Sequence, residues 1–345
     1  DTAYELAFGG PVIKDKLFFY LTYSEAEISN PLRYGIQGSG AENLLDVTAD
    51  QAEQVRSAVQ TLIGIDPFGP TGATESSQEN TSVRFDWNIN DKNRLTFNHK
   101  DVFGTDLRGS SSDRNTVALY SARYIKSEET TTNSFHLVSD VSDNLISEVY
   151  FSTKETMTDQ ISPAGQNMPN ITIDEAFGYE FVAGPDIFRM ANDLDTETTF
   201  FKAKLTYYQN EHKITAGFEN TVYDTYNVFI VDEDGSYEFN SLADLQAGRI
   251  NSYSAAGTKT GRVEDGAADF EYELQSMYLM DEISLSDQLT LTMGVRYDEY
   301  SGDDTPTNTS FQNTYGFKNG GIKGTDLFTF RLGADYVIDD LSDIN

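Results

Sequence analysis

Cysteine is absent from the 345 residues, which excludes disulfides, thiolate metal sites and a cysteine nucleophile. That absence leaves the redox compartment open, because many secreted and envelope proteins also lack cysteine. Basic residues are scarce: 24 lysines and arginines stand against 56 acids, a formal charge of −32. A phosphate backbone needs a basic surface, so nucleic acid is excluded as a partner. No apolar run approaches the ~20 residues of a membrane-crossing helix. His99, His136 and His212 are too few and too scattered for a metal site. No catalytic constellation, metal site or cofactor site is expected, and no enzyme activity. What the chain has in abundance is aromatic: 42 Phe and Tyr residues against a single Trp. With Thr- and Asn-rich alternation, they favour strands over helices.

Short polar turns punctuate the chain. They are Lys14-Asp15-Lys16, Asn90-Asp91-Lys92-Asn93, Ser142-Asp143-Asn144, Asn210-Glu211-His212, Ser286-Asp287-Gln288 and Asp339-Asp340. Asn, Asp and Ser suit tight turns because they tolerate left-handed geometry and bond their own backbone. After the first five, Leu17, Leu95, Leu145, Ile214 and Leu289 restart an alternating pattern. Roughly 50–80 residues separate successive turns, far more than two ordinary strands need. Each unit thus reads as a strand, a long excursion, a returning strand and a short turn. Long loops gather at one end of a sheet and short turns at the other.

Parity separates two faces. Val83, Phe85, Trp87 and Ile89 alternate with Arg84, Asp86 and Asn88, and Phe201, Ala203, Leu205 and Tyr207 with Lys202, Lys204 and Thr206. Leu289 to Tyr297 and Phe328 to Ile338 repeat the pattern, with Arg296, Asp298, Arg331 and Asp335 on the polar side. The alternation runs for about ten residues, the length of a tilted strand crossing a bilayer. Tyr207, Tyr297 and Tyr336 close the apolar face where an interfacial girdle would lie. The alternative is a soluble sandwich or barrel with the same face as its core. Strand length, one-sided loops and a charged, Gly-bearing polar face weigh against it. Between Phe270 and Leu285 the apolar parity switches and Asp281 falls out of phase, which a bulge or an exit from the membrane would explain.

The first excursion holds one short helix. Thr48-Ala49-Asp50-Gln51 forms a capping box, Ala52, Val55, Val59, Leu62 and Ile63 recur at helical spacing, and Gly64 stops it. Asp232-Glu233-Asp234-Gly235 lacks the spaced ligands of a calcium loop and reads as a solvated tip. Tyr237 and Phe239 beside it could mark a ligand-facing loop. Acid concentrates in the excursions, with ten acidic and three basic residues from Val231 to Glu273. Such a field attracts cationic ligands to a mouth, or simply keeps the loops soluble.

The stretch "FGGPVIKDKLFFYLTYSEAE" closely resembles the opening of the barrel in TonB-dependent outer-membrane receptors, especially the Oar-like group. "LLDVTADQAEQVRSAVQTLIGIDPFGP", "VRFDWNINDKNRLTFNHK", "QSMYLMDEISLSDQLTLTMGVRYDEY" and "LFTFRLGADYVI" are similar to later segments of that group. The resemblance implies an all-β, antiparallel, up-and-down transmembrane barrel in the outer membrane of a Gram-negative bacterium. It further implies about 11 of a presumed 22 strands over residues 1–345, as the first half of a barrel whose plug is missing from this chain. Long outer loops are expected near 26–80, 104–130, 155–198, 224–268 and 299–326. Asp15, Asp91, Asp143, Glu211 and Asp287 are expected at periplasmic turns. Arg84, Asp86, Lys202, Lys204, Glu219, Arg296, Asp298, Arg331 and Asp335 would face the lumen and hold the plug by polar contacts. Expected partners are outer-membrane lipid, the plug and TonB complex, a small-molecule, peptide or glycan ligand, and a possible surface partner protein. Energised nutrient uptake is the implied function. A structural or adhesive barrel without transport is the alternative, with a soluble β-rich binding protein a third.

Overall fold

The computed structural model describes residues 1–165, 167–302, 309–316 and 323–338. The alternating segments become eleven antiparallel strands, each hydrogen-bonded to its neighbours in chain order. They are β1 (Thr2–Ile13), β2 (Leu17–Pro31), β3 (Ala73–Asn90), β4 (Asn93–Gly109), β5 (Arg123–Ser142) and β6 (Leu145–Ile161). Then follow β7 (Ala191–Gln209), β8 (His212–Ile230), β9 (Ala268–Ser284), β10 (Leu289–Gly302) and β11 (Asp326–Tyr336). This is an up-and-down meander with two open edges among the described residues, a portion of a barrel. Five short turns join the strands at one end. Asp15 and Asn210 there adopt φ of 62° and 52°, the left-handed region that short polar side chains tolerate. The sixth expected turn, Asp339-Asp340, lies outside the described residues.

Register shows what the alternation is for. Ile13, Leu17, Trp87, Leu95, Leu137, Val149, Ala203, Phe218, Met277, Tyr297 and Phe328 stand opposite one another in one row across all eleven strands. Every member is apolar or a tyrosine. The adjacent row carries Phe19, Phe85, Phe97, Phe135, Phe151 and Phe201 on six consecutive strands. This face is open: Met277 is 59% exposed and Phe135 44%. On the opposite face small polar residues such as Thr206, Thr215 and Ser276 are buried. The polar face is therefore the concave one, and the convex wall presents a continuous apolar band suited to lipid.

The parity switch between Phe270 and Leu285 involves no bulge, because β9 pairs with β8 and β10 without a break in register. Phe270, Tyr272 and Leu274 share the concave parity near the loop end, where Tyr272 stacks on Tyr223 at 4.6 Å. Met277 and Leu279 take the convex side. Asp281, also convex, meets His212 at 2.7 Å.

The strands run deeper into the excursions than expected. The connections span 32–72, 110–122, 162–190 and 231–267, and that from 303 to 325 is described only in part. Four of them hold the buried core of the molecule. Helix α1 (Ala49–Ile63) begins with the expected capping box at Thr48 and ends at left-handed Gly64. It packs against α2 (Leu242–Gln246), whose N-cap Ser241 accepts from the backbone N–H of Asp244. A third helix, α3 (Thr309–Tyr315), lies in the last connection, so the expected single helix is one of three α-helices among the described residues. Residues Asn170–Ala176 and Tyr179–Ala183 form a hairpin whose two tip residues, Phe177 and Gly178, both have positive φ, as a twist-matched two-residue turn requires. Strands Ser236–Phe239 and Thr116–Ala118 add to it in parallel, and Ser252–Ser254 completes a five-stranded sheet. Val47, Val55, Val59, Val117, Leu119, Ile171, Ile173, Phe181, Phe239 and Leu245 are buried together beneath it. A sandwich would have put that core against the strands' apolar face. Instead it lies in a cap.

Candidate functional site: the concave wall and its capped mouth

All nine sequence-selected charged residues share the concave face, and most of them are brought into contact. Arg84 and Asp86, two apart on β3, pair at 2.7 Å, and Thr96 donates to Asp86 at 2.8 Å. Lys202 lies 3.7 Å from Glu219, which also takes Arg296 at 3.0 Å. Arg296 bonds Asp298 at 2.8 Å, and the Ser276 hydroxyl donates to the same carboxylate. Lys204 bonds Glu148, a residue parity alone did not single out, and His136 stands 3.6 Å from its other oxygen. Arg331 lines a hollow of about 340 Å³ with Glu219, Tyr278 and Arg296. Asp335 stands apart from them, opposite Thr290 near the short-turn end.

Tyr278 shows how the backbone seats this network. It stands opposite Gly217, and any Cβ on Gly217 would overlap the tyrosine ring. The missing side chain lets the ring lie over the β8 backbone, with the Arg296 guanidinium 5.8 Å from its centroid.

Register also sorts charge across the wall. Every lysine and arginine in the eleven strands has concave parity except Arg123, which is buried at the cap and donates to the Leu107 carbonyl. On the convex side above the apolar band, Glu155, Glu197, Asp224 and Glu271 stand opposite one another on four successive strands, and Glu25 opposes Glu79. Sequence reasoning missed this ladder, since the alignment of the strands is not written in any one of them.

At the mouth, the two aromatic residues read as ligand-facing have other roles. Phe239 is buried in the cap core and Tyr237 packs on Tyr253 at 4.7 Å. Asp232-Glu233-Asp234 is half-buried rather than a free tip: the Asp232 N–H donates to Ile187 at 2.8 Å. Burial, with Glu233 beside it, pushes the Asp234 carboxyl up to about 6. Among the described residues no group of three or more His, Cys, Asp or Glu side chains is arranged to hold a metal ion. Each histidine has its own partner; His99 contacts Asn133 at 2.8 Å and Asp101 at 2.7 Å. The five turn residues, Asp15, Asp91, Asp143, Glu211 and Asp287, all lie in short connections at the end away from the cap.

A family model described as "Outer membrane beta barrel domain" matches residues 41–327. No protein of curated function matches the sequence. Among solved structures, the outer membrane transporter YddB from Escherichia coli superposes with a TM-score of 0.61 at 11% identity, over 97% of this chain and 36% of that one. The ferric yersiniabactin uptake receptor FyuA from Yersinia pestis gives 0.52 at 11% identity, over 98% and 42%. The ferric-catecholate import receptor Fiu from E. coli K12, in its closed form, gives 0.54 at 12% identity, over 97% and 48%. At such identities the likeness is one of fold, and the chain spans between about a third and a half of the length of these structures.

Proposed function

The chain belongs to the outer membrane beta barrel domain family and resides in the outer membrane of Gram-negative bacteria, and from that premise we propose that it walls a TonB-dependent receptor for energised nutrient uptake. The observation that carries the reading is the interlocked charge network on the concave wall, Lys202–Glu219–Arg296–Asp298 beside Lys204–Glu148. A purely structural wall has no need of mixed charges on its inner side. A wall that grips a removable polar plug does, because such contacts re-form at small net cost when water replaces them. Arg84, Asp86, Arg331 and Asp335 extend that face, and all nine residues are assigned to the lumen. The five short turns at Asp15, Asp91, Asp143, Glu211 and Asp287 are assigned to the periplasm and the cap to the outside.

The opening motif and its companions support the Oar-like kind. Among the described residues both sheet edges, β1 and β11, lack a strand neighbour, and a bilayer does not tolerate such open edges. The ligand is a small molecule, peptide or glycan that enters past the cap, and a plug and the TonB complex supply the gate and the energy.

Accumulation of labelled ferric chelates, oligosaccharides and peptides by cells with and without the gene tests this. Gene-dependent accumulation that disappears on loss of TonB or of the proton gradient is expected. Accumulation indifferent to TonB would overturn energised uptake. Gene-dependent attachment of cells to surfaces, without accumulation of any probe, would favour the adhesive reading that the acidic outer ladder supports.

A further inference from the structure

Lys202, Glu219, Ser276 and Asp298 stand opposite one another across β7 to β10, and one row outward of them the concave wall changes character. From Phe200 outward on β7, Thr221 outward on β8 and Leu274 outward on β9, no concave position carries a charge. Each is Thr, Asn, Leu, Ala, Phe or Tyr. The same stretches are rich in acid, yet all of it, Glu197, Asp224 and Glu271 included, has the convex parity. Neutrality is therefore a property of the inner face and not of the segments.

Aromatic rings line this strip. Tyr223 and Tyr272 stack at 4.6 Å with their planes 20° apart, and Phe270 follows Tyr272 at 6.4 Å and 17°. Further out, Phe229 and Phe188 lie 6.4 Å apart and nearly parallel, at 6°. Gly302 stands opposite Tyr272 and adds no side chain beside it. The rings are not packed away: Phe270 is 39% exposed and Phe229 50%. Open apolar rings in a wet mouth favour a ligand with a flat apolar face. Around them the hydroxyls of Thr198 and Thr225 and the amide of Asn227 share the concave parity and both donate and accept. An ionised ligand pressed on this strip would lose hydration and meet no counter-charge. A pyranose ring satisfies every condition, with C–H faces for the rings, hydroxyls for Thr and Asn, and no charge. We propose that this strip binds a neutral oligosaccharide at the entrance to the lumen. The inference rests on reading the wall as the lining of an uptake receptor, and it narrows the ligand to a glycan.

The test is calorimetric titration of the intact protein, purified in a detergent without a sugar headgroup. The probes are maltohexaose, cellohexaose and N-acetylchitohexaose, with hexagalacturonate as the anionic comparison. Saturable binding of at least one neutral probe is expected, and weaker or no binding of hexagalacturonate. Phe270→Ala and Tyr272→Ala are each expected to raise Kd about tenfold, the worth of one lost stacking contact, with the circular dichroism spectrum unchanged. Tyr272→Phe, which keeps the ring, and Glu271→Gln, on the convex side, should bind as the natural chain does. Failure of all three neutral probes, or tighter binding of hexagalacturonate, overturns the proposal. Undiminished binding by folded Phe270→Ala and Tyr272→Ala variants overturns its placement on this strip. Binding in detergent needs neither TonB nor a proton gradient, so the two readings fail separately. TonB-dependent accumulation of a ferric chelate without glycan binding would overturn this inference and leave energised uptake standing. Glycan binding with accumulation indifferent to TonB would do the reverse.

Discussion

Glu197 has a like charge directly opposite it on either side: Glu155 across one strand boundary and Asp224 across the other. Such pairs oppose pairing of the strands, and they are tolerated here above the apolar band, where water and ions reach them. Glu197→Gln is expected to stabilise the wall by about 0.5 kcal/mol at low salt, by the usual worth of cross-strand charge pairs. Chemical unfolding at low and high salt would check it; a gain that does not shrink with salt would contradict the repulsion. Asp234 makes a second residue-scale prediction. Its carboxyl titrates near 6 in the folded protein against 3.8 when free, so between those values the folded state holds more protons. Stability of the 231–267 connection should fall as pH rises from about 4 to about 6 and level off above. Protease digestion across that range should show the fall, and Asp234→Asn should remove it while protecting the loop at pH 7.

The helices and small strands of the cap act as one element. Phe239 from the fourth connection and Phe181 from the third fill the same core as Val55 and Val59 of α1. Truncating Phe239 to Ala is expected to cost about 3–5 kcal/mol of cap stability, the usual range for a fully buried aromatic. Hydrogen exchange should then show 32–72, 162–190 and 231–267 opening together while β1 to β11 stay protected. Opening of one connection alone would mean that the loops are separate. The salt bridge from Arg56 to Asp66 ties α1 to the chain that follows it. The Arg56 guanidinium holds the Asp66 carboxyl below its ordinary value, so this tie persists through neutral pH and loosens only as pH falls below about 4.

For the whole molecule the governing fact is that the wall has two unlike faces. Phe135 lies on the convex band and Ser134, one residue before it, on the concave side. A lysine at position 135 must enter hydrocarbon, at about 2–4 kcal/mol near the bilayer midplane, whereas one at 134 faces the polar concave side. Phe135→Lys is therefore expected to reduce the amount of heat-modifiable protein in the outer membrane severalfold, and Ser134→Lys to leave it unchanged. Equal loss from both would show that Phe135 packs against protein rather than lipid.

Period-two alternation and Asn/Asp turns are local properties, so the eleven strands, their order, their faces and the α1 cap at Thr48 were legible in the sequence alone. Parity also found eight concave-face charges that the fold joins into pairs or gathers around one hollow. Helix α2 was not legible there, since a five-residue helix leaves no periodicity; the structure shows it capped by Ser241. Only the tertiary structure decided that the excursions fold on one another, because β-pairs such as Ile171 with Tyr237 join residues of different connections, far apart in the chain. It likewise decided which charges oppose, since a one-residue slip of any strand would exchange the two faces. The sequence by itself determined a membrane wall with an inside and an outside. Register and loop packing determined the acidic ladder, the capped mouth and the uncharged strip beneath it, because each depends on distances between strands that no single segment encodes.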